Sequence, residues 1–182
     1  MIFEKLAVQG RTRIRKSTAS SITSQLVKIR KDNIRSSFRD FFDYEHRLEY
    51  VASVHNIDFI NDSKAETINS TWYALEEMLK PVVWVVGGDD ENNDYTKLYD
   101  VVKNKVKAII CIGVNNEKIK DYFKDIVKEI VEIPDMNNAV LKAFHVADSG
   151  DVVLLSPASK PDSIYLSFED RGTKFKKAVR KL

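Results

Sequence analysis

One cysteine in 182 residues excludes an internal disulfide framework and any zinc site built of cysteines alone. That residue, Cys111, lies in the apolar run Ala108-Ile109-Ile110-Cys111-Ile112 and is expected to be a buried strand thiol. No apolar stretch approaches the ~20 residues of a membrane helix. The amino terminus lacks the hydrophobic region of a secretory signal, so the expected location is the cytoplasm, with no membrane partner. There is no Gly-x-x-x-x-Gly-Lys-Ser/Thr loop, which leaves these residues no evident way to hold a triphosphate unaided. Ser156 lacks a Gly-x-Ser-x-Gly elbow, which argues against a hydrolase. His46, His55 and His145 are too scattered for metal-ligand spacing, so no metal site is expected. Internal repeats and low-complexity tracts are absent as well.

What is present suffices for one α/β domain with a short extension. A hydrophobic fraction of 43% supplies a core and excludes wholesale disorder. The net charge of +2 is unevenly spread. Residues 1–47 carry eleven Lys and Arg against five Asp and Glu, whereas the remainder carries eighteen against twenty-two. The basic cluster Arg11, Arg13, Arg15 and Lys16 has no interleaved aromatics, so a solvated face is favoured over a nucleic-acid interface.

From Ser20 to Phe42, apolar residues (Ile22, Leu26, Ile29, Ile34, Phe38, Phe41) recur at roughly helical spacing. Arg47 to Val54 alternates, with Leu48, Tyr50 and Ala52 against Glu49, Val51 and Ser53. A turn at His55-Asn56 then leads into Ile57–Ile60, and together these segments predict a β-hairpin. Buried strands follow at 81–86, 107–112, 129–133 and 151–155, with helices at about 69–79, 95–103, 116–127, 136–148 and 163–180. Strand–helix alternation of this kind predicts a doubly wound, mostly parallel Rossmann-like sheet covered on both faces, with an amino-terminal helical extension. Ligands of such folds bind beyond the carboxyl ends of the strands. Here those ends are Asn61-Asp62-Ser63-Lys64, Gly87-Gly88-Asp89-Asp90, Gly113-Val114-Asn115 and Ser156-Pro157-Ala158.

In Asn61–Ala65, a strand-end carboxylate can accept from ribose hydroxyls and a lysine can pair with phosphate or carboxylate, beside a helix amino terminus that favours anions. The alternative is that Asp62 or Ser63 simply caps the helix. Gly87-Gly88 permits close backbone approach to a ligand or only a tight turn. The acidic loop Asp89, Asp90, Glu91, Asp94 fits a solvated loop better than a divalent-cation site. Trp72, Tyr73 and Trp84 are expected in the core or at an interface rather than in a base-stacking platform.

Several ordered motifs carry a resemblance to a known family. They are Glu45-His46-Arg47-Leu48-Glu49, Phe59–Ala65, Asn69-Ser70-Thr71, Val86-Gly87-Gly88, Asn93-Asp94-Tyr95, Leu154–Ala158 and Phe168-Glu169-Asp170-Arg171-Gly172 with Phe175. Spread over about 130 residues, this series resembles the carboxy-terminal domain of the Mur ligases, in particular their D-glutamate-adding branch. Residues 1–46 look like the tail of that family's central ATPase domain, so the expected domains are 1–46 and 47–182. The resemblance implies an ATP-dependent amide ligase of peptidoglycan synthesis. In this family ATP with Mg activates a muramoyl-alanine carboxylate as an acyl phosphate, which the D-glutamate amine attacks. It also implies that the UDP-sugar domain and the phosphate loop lie outside these residues, so that this chain alone is not competent. Carried over by position, Arg47 and Asp62 contact the nucleotide, Lys64 lies near the phosphates or the amino acid, and Phe168 borders the glutamate pocket.

Other positions depart from the family pattern. Thr12-Arg13 and Lys16 stand where the family has His-Asn and Asn. Glu66 replaces a threonine, Glu91 a lysine and Pro161 a serine. The last three remove donors or positive charge that would meet the carboxylates of D-glutamate, so a degenerate substrate pocket is expected. Two readings follow: the carboxy-terminal part of the ligase, or a non-catalytic module for a nucleotide or a cationic ligand built on that scaffold. The apolar face at residues 20–42 is expected to fold back or to mediate self-association.

Overall fold

The computed structural model describes residues 45–87 and 93–182. The expected helix at 20–42, its self-association, the basic cluster, the substitutions at 12, 13 and 16, and Glu91 lie outside the described residues. The hairpin comes first: β1 (Glu49–Val54) pairs antiparallel with β2 (Ile57–Asn61). Both turn residues, His55 (φ 50°) and Asn56 (φ 63°), are left-handed, as a tight two-residue hairpin turn demands. The alternation expected for β1 does not hold along its length. The register shifts between Tyr50 and Ala52, so Val51 and Ala52 both pack toward the core while Tyr50 faces solvent. A β-bulge inserts one unpaired residue and so breaks the period of two.

After the hairpin come α1 (Ile68–Glu77), β3 (Val82–Val86), a 3-10 turn (Tyr95–Leu98), α2 (Tyr99–Lys105), β4 (Val106–Cys111), α3 (Glu117–Phe123), β5 (Glu129–Glu132), α4 (Met136–Val146), β6 (Val152–Leu155) and α5 (Phe168–Val179). The six strands lie in the order β1-β2-β6-β3-β4-β5, and every pairing except β1–β2 is parallel. β6 therefore returns across the sheet to sit between β2 and β3, and the carboxyl ends of these three strands define the crevice.

The centre of the sheet is buried on both sides, which explains its unbroken aliphatic runs. Val82, Trp84 and Val86 with Val152 and Leu154 face α1, α2 and α3 through Leu75, Val102 and Phe123. Val83, Val85, Val153 and Leu155 face α4 and α5 through Val140, Ala143 and Phe175. The Trp84 indole, wholly buried, donates to the Ser156 carbonyl (2.8 Å), tying β3 to the end of β6. Trp84 and Cys111 are core residues, whereas Tyr73 is half-exposed with Trp72 packed edge-on against it.

Helix boundaries follow local chemistry. Thr67, not Asp62 or Ser63, caps α1, in a reciprocal box with Ser70. Helix α5 begins at Phe168 rather than near 163, because the Ser167 side chain accepts from the Asp170 amide. The expected helix at 95–103 splits into a 3-10 turn and α2, with Asp94 capping the turn through Thr96. At the other end of α1, Lys105 donates to the carbonyls of Leu75, Glu76 and Met78, the first of which also accepts from the Met78 amide.

Helix α5 places Phe168, Arg171, Gly172 and Phe175 on one face by their spacing. Phe175 enters the core against Phe59 (6.5 Å between centroids). Gly172 leaves room for the buried His46: an added Cβ would lie 2.1 Å from His46 Nδ1 and 3.0 Å from Asn61 Nδ2. Helix propensity alone would favour alanine at 172 by about 1 kcal/mol, but overpacking a buried contact costs about 1–3 kcal/mol. Gly172→Ala is therefore expected to lower stability by about 1–2 kcal/mol in urea unfolding, with part of the loss recovered in the His46→Ala/Gly172→Ala double variant. A single variant as stable as the parent would refute this packing.

Candidate functional site at the carboxyl ends of the strands

The site grows from the end of β2. Asn61 is buried, and its amide nitrogen lies 2.9 Å from His46 Nδ1 and 3.0 Å from a Glu49 carboxylate oxygen. Since Asn61 Nδ2 can only donate, His46 Nδ1 accepts. Glu49 also pairs with Lys176 of α5 (3.0 Å). His46, at φ 65°, precedes the exposed Arg47, and Leu48 follows at φ 45°. These turns bring the Leu48 amide to Asp62 Oδ1 (3.1 Å) and the His46 carbonyl to the Lys64 amide (3.0 Å).

Asp62 is 5% exposed. Its amide donates to Leu155 (2.8 Å), which continues the β2–β6 ladder past the strand end. Its Oδ2 meets Ser156 Oγ (3.2 Å), which lies 3.0 Å from Thr71 Oγ1 of α1. Burial pushes the Asp62 carboxyl up to about 7, against the opposing pull of the Leu48 amide, Ser156 and the charge of Arg47. The crevice thus holds a carboxyl group poised between its neutral and charged forms near neutral pH.

Ser63 is fully buried and fully bonded. Its amide donates to Asn61 Oδ1 (3.2 Å), its hydroxyl donates to the Phe168 carbonyl (2.8 Å), and its oxygens accept from Arg171. Lys64 is exposed, with its ammonium 5.0 Å from the centre of the Phe168 ring, a cation–π distance. That ring also meets the His46 imidazole in a T-shaped contact, 6.1 Å between centroids.

Arg171 is wholly buried. Its Nε donates to Ser63 Oγ (3.1 Å), and Nη2 donates to the carbonyls of Ser63 (2.9 Å) and Ser159 (3.2 Å). Among the described residues its Nη1 has no hydrogen-bond partner. Burial pulls its pKa down to about 10, which leaves it charged at neutral pH, and the charge of Glu66 is the first of the groups that oppose this fall. The loop after β6 is anchored in turn: the buried Ala158, left-handed at φ 62°, donates to the Ala65 carbonyl (2.9 Å) and accepts from Asn93 (3.1 Å).

Asp62, Lys64 and Phe168 thus come together around one loop, with Arg47 close enough for its charge to act on Asp62. Glu66 is half-buried and reaches the same cluster through the field of Arg171. Pro161, half-buried, lies two residues beyond Ser159. His46, Asn61, Ser156 and Arg171 are the members that reasoning from sequence left without a role. Their signal was present only in the ordered motifs, because the partners are far apart along the chain. Chemically, the arrangement offers one acceptor carboxyl with the charge of Arg47 acting on it and an exposed Lys64 over Phe168, a set that suits the ribose and phosphates of a nucleotide. Among the described residues no group of three or more His, Cys, Asp or Glu is placed to hold a metal. No described helix is long and apolar enough to cross a membrane.

The fold and the strand-end loops define a mostly parallel α/β domain with a candidate ligand site where β2, β6 and β3 end. Residues 46–159 match the family described as Mur ligase, glutamate ligase domain, and the chain belongs to that family. It is 48% identical over 178 residues to a UDP-N-acetylmuramoylalanine–D-glutamate ligase from Christiangramia forsetii, and 43% identical over 180 residues to that of Bacteroides fragilis. Each comparison covers 98% of this chain but 40% of the relative, so the chain spans well under half the length of the curated relatives it matches. Among solved structures, UDP-N-acetylmuramate-alanine ligase MurC from Thermotoga maritima superimposes with a TM-score of 0.63 at 14% identity, over 94% of this chain and 38% of that one. A folylpolyglutamate synthase/dihydrofolate synthase from Yersinia pestis, solved with AMPPNP and a manganese ion, gives 0.52 at 18% identity over 77% of this chain and 32% of that one. Both show a shared fold.

Because the folded pKa of Asp62 lies above its unfolded value of 3.8, the folded chain holds a proton that the unfolded chain releases as pH rises. Its stabilising contribution is complete below about pH 4 and is lost as pH passes about 7, a change of at most roughly 4 kcal/mol. Asp62→Asn can keep both hydrogen bonds without the charge. Its stability relative to the parent is expected to rise by about 2–4 kcal/mol between pH 4 and pH 8 in urea unfolding. A difference that does not change with pH would show that Asp62 ionises as an ordinary carboxylate.

Proposed function

We propose that this chain serves as the carboxy-terminal domain of an ATP-dependent UDP-N-acetylmuramoyl-L-alanine:D-glutamate amide ligase of peptidoglycan synthesis, and that it is not catalytically competent alone. The observation that carries this reading is the strand-end loop: Asp62 buried at the crevice, with Arg47 on one side and Lys64 over Phe168 on the other. Its kinship with named D-glutamate ligases over 98% of the chain supports it. In this reading Asp62 accepts from the ribose hydroxyls of ATP or ADP, Arg47 contacts the nucleotide, Lys64 lies near the phosphates or the incoming amino acid, and Phe168 borders the glutamate pocket. The lack of a phosphate loop in these 182 residues supports the need for a nucleotide-holding domain elsewhere. Magnesium, in the family chemistry, would neutralise phosphate charge, and among the described residues no group of three or more His, Cys, Asp or Glu is placed to hold it.

The substrate pocket is retuned. A carboxylate at 66 facing a ligand carboxylate at about 4 Å costs on the order of 4 kcal/mol at intermediate dielectric. Each lost charged hydrogen bond costs roughly 1.5–3 kcal/mol more. These penalties exceed the ~4 kcal/mol that holds a millimolar ligand. Arg171 offsets part of the first, since the Glu66 charge already acts on its guanidinium. The replacements at 66, 91 and 161 are the observation behind a second reading, a non-catalytic module on this scaffold that binds a nucleotide or a cationic ligand.

Isothermal titration of the full chain with ADP, D-glutamate and D-lysine tests both readings. Binding of ADP that Asp62→Asn weakens at least tenfold is expected, with D-glutamate weaker than millimolar. Glu66→Thr combined with Glu91→Lys and Pro161→Ser is expected to tighten D-glutamate at least a hundredfold. Sub-millimolar D-glutamate binding by the unaltered chain would overturn the retuned pocket, and saturable D-lysine binding without ADP would favour the module.

A further inference from the structure

We propose that Arg171 is the positioning residue of this crevice, its buried guanidinium fixing the Ser63–Lys64 backbone against helix α5 so that Lys64 is held over Phe168. The proposal rests on the reading of the crevice as a ligand site only for its consequence, not for its geometry.

A charged group out of water is costly unless it is paired or fully bonded, and Arg171 has neither remedy in full. Among the described residues no carboxylate lies within ion-pair distance of it, and Nη1 is left unpartnered. An apolar side chain of similar size would avoid that cost. It would also leave the Ser63 and Ser159 carbonyls without their donor. These carbonyls belong to two loops, after β2 and after β6, that are far apart in the chain but side by side at one end of the sheet, and one planar fork reaches both.

The bonding then runs in one direction through Ser63. Arg171 Nε donates to Ser63 Oγ, whose single proton goes to the Phe168 carbonyl at 2.8 Å. The fork therefore orients the hydroxyl that holds the first turn of α5, which carries Phe168. On the other side it holds the Ser63 carbonyl, and the next residue is Lys64, whose ammonium sits 5.0 Å from the Phe168 ring. Both partners of the cation–π contact thus depend on the same guanidinium, 108 residues from Ser63 in the chain. Lysine in its place would keep the charge and lose the fork.

The test compares the full chain with Arg171→Lys, Arg171→Met and Ser63→Ala, after circular dichroism and thermal melting have shown which variants fold. The primary readout is the upfield ring-current shift of the Lys64 side-chain methylenes, identified by its loss in Phe168→Leu. The second is ADP affinity. In a folded Arg171→Lys variant the shift is expected to collapse and ADP binding to weaken on the order of tenfold, although the charge remains. Retention of both in folded Arg171→Lys would overturn the proposal, since charge alone would then suffice. Should neither Arg171 variant fold, Ser63→Ala decides by the same two outcomes, because it cuts the bridge to Phe168 and leaves the guanidinium in place. If the parent chain fails to bind ADP, the nucleotide reading falls, while the ring-current shift still decides the role of Arg171.

Discussion

Where a parallel strand ends, its last backbone groups lose their neighbours but not their need for hydrogen bonds. Three such ends meet in this domain, those of β2, β6 and β3, and the requirement is met by passing the ladder on through the loops. Asp62 donates to Leu155, Ser156 to Val85 and Gly87 to Pro157. The carbonyls that remain, of Ser63, Ser159 and Ser156, are satisfied by Arg171 and Trp84. Every side chain assigned to the site hangs on a backbone position set by this accounting.

The same constraint explains the electrostatics. The ionisable groups caught among these loops are buried, so they are disfavoured in their charged forms. Asp62 is shifted up and Arg171 down, both chiefly by burial, and the two are not paired with each other. A low local dielectric strengthens whatever charge a ligand brings. It also makes a change such as threonine to glutamate at 66 consequential, since a half-buried carboxylate near a buried guanidinium is only partly screened.

Much of the fold was legible in the sequence because its centre is buried on both faces. The runs at 82–86, 106–111 and 152–155 have no polar alternation and could be little else than parallel strands. Helix starts were legible wherever a serine or threonine sits three residues before a polar partner, as at Thr67 and Ser167; apolar periodicity alone came within one residue of the start of α1 but placed that of α5 about five residues early. The bulge at Val51 was not legible, because an inserted residue leaves composition unchanged. In the site, Asp62 and Lys64 could be picked out from their strand-end position. The burial of Asp62 and the bonding of Arg171 could not, since both depend on contacts spanning about a hundred residues.

Strand order carries one more consequence. β6 is the last strand in the chain but lies near the middle of the sheet, wedged between β2 and β3. The hairpin and the β3–β4–β5 half therefore share no edge until residues 152–155 arrive, and each half alone presents an open seam. During synthesis the ribosome must deliver nearly the whole domain before the sheet can close, and α5 with the guanidinium comes later still. The crevice is accordingly the final part to assemble, and a nascent chain cannot engage a ligand there before the keystone strand is home.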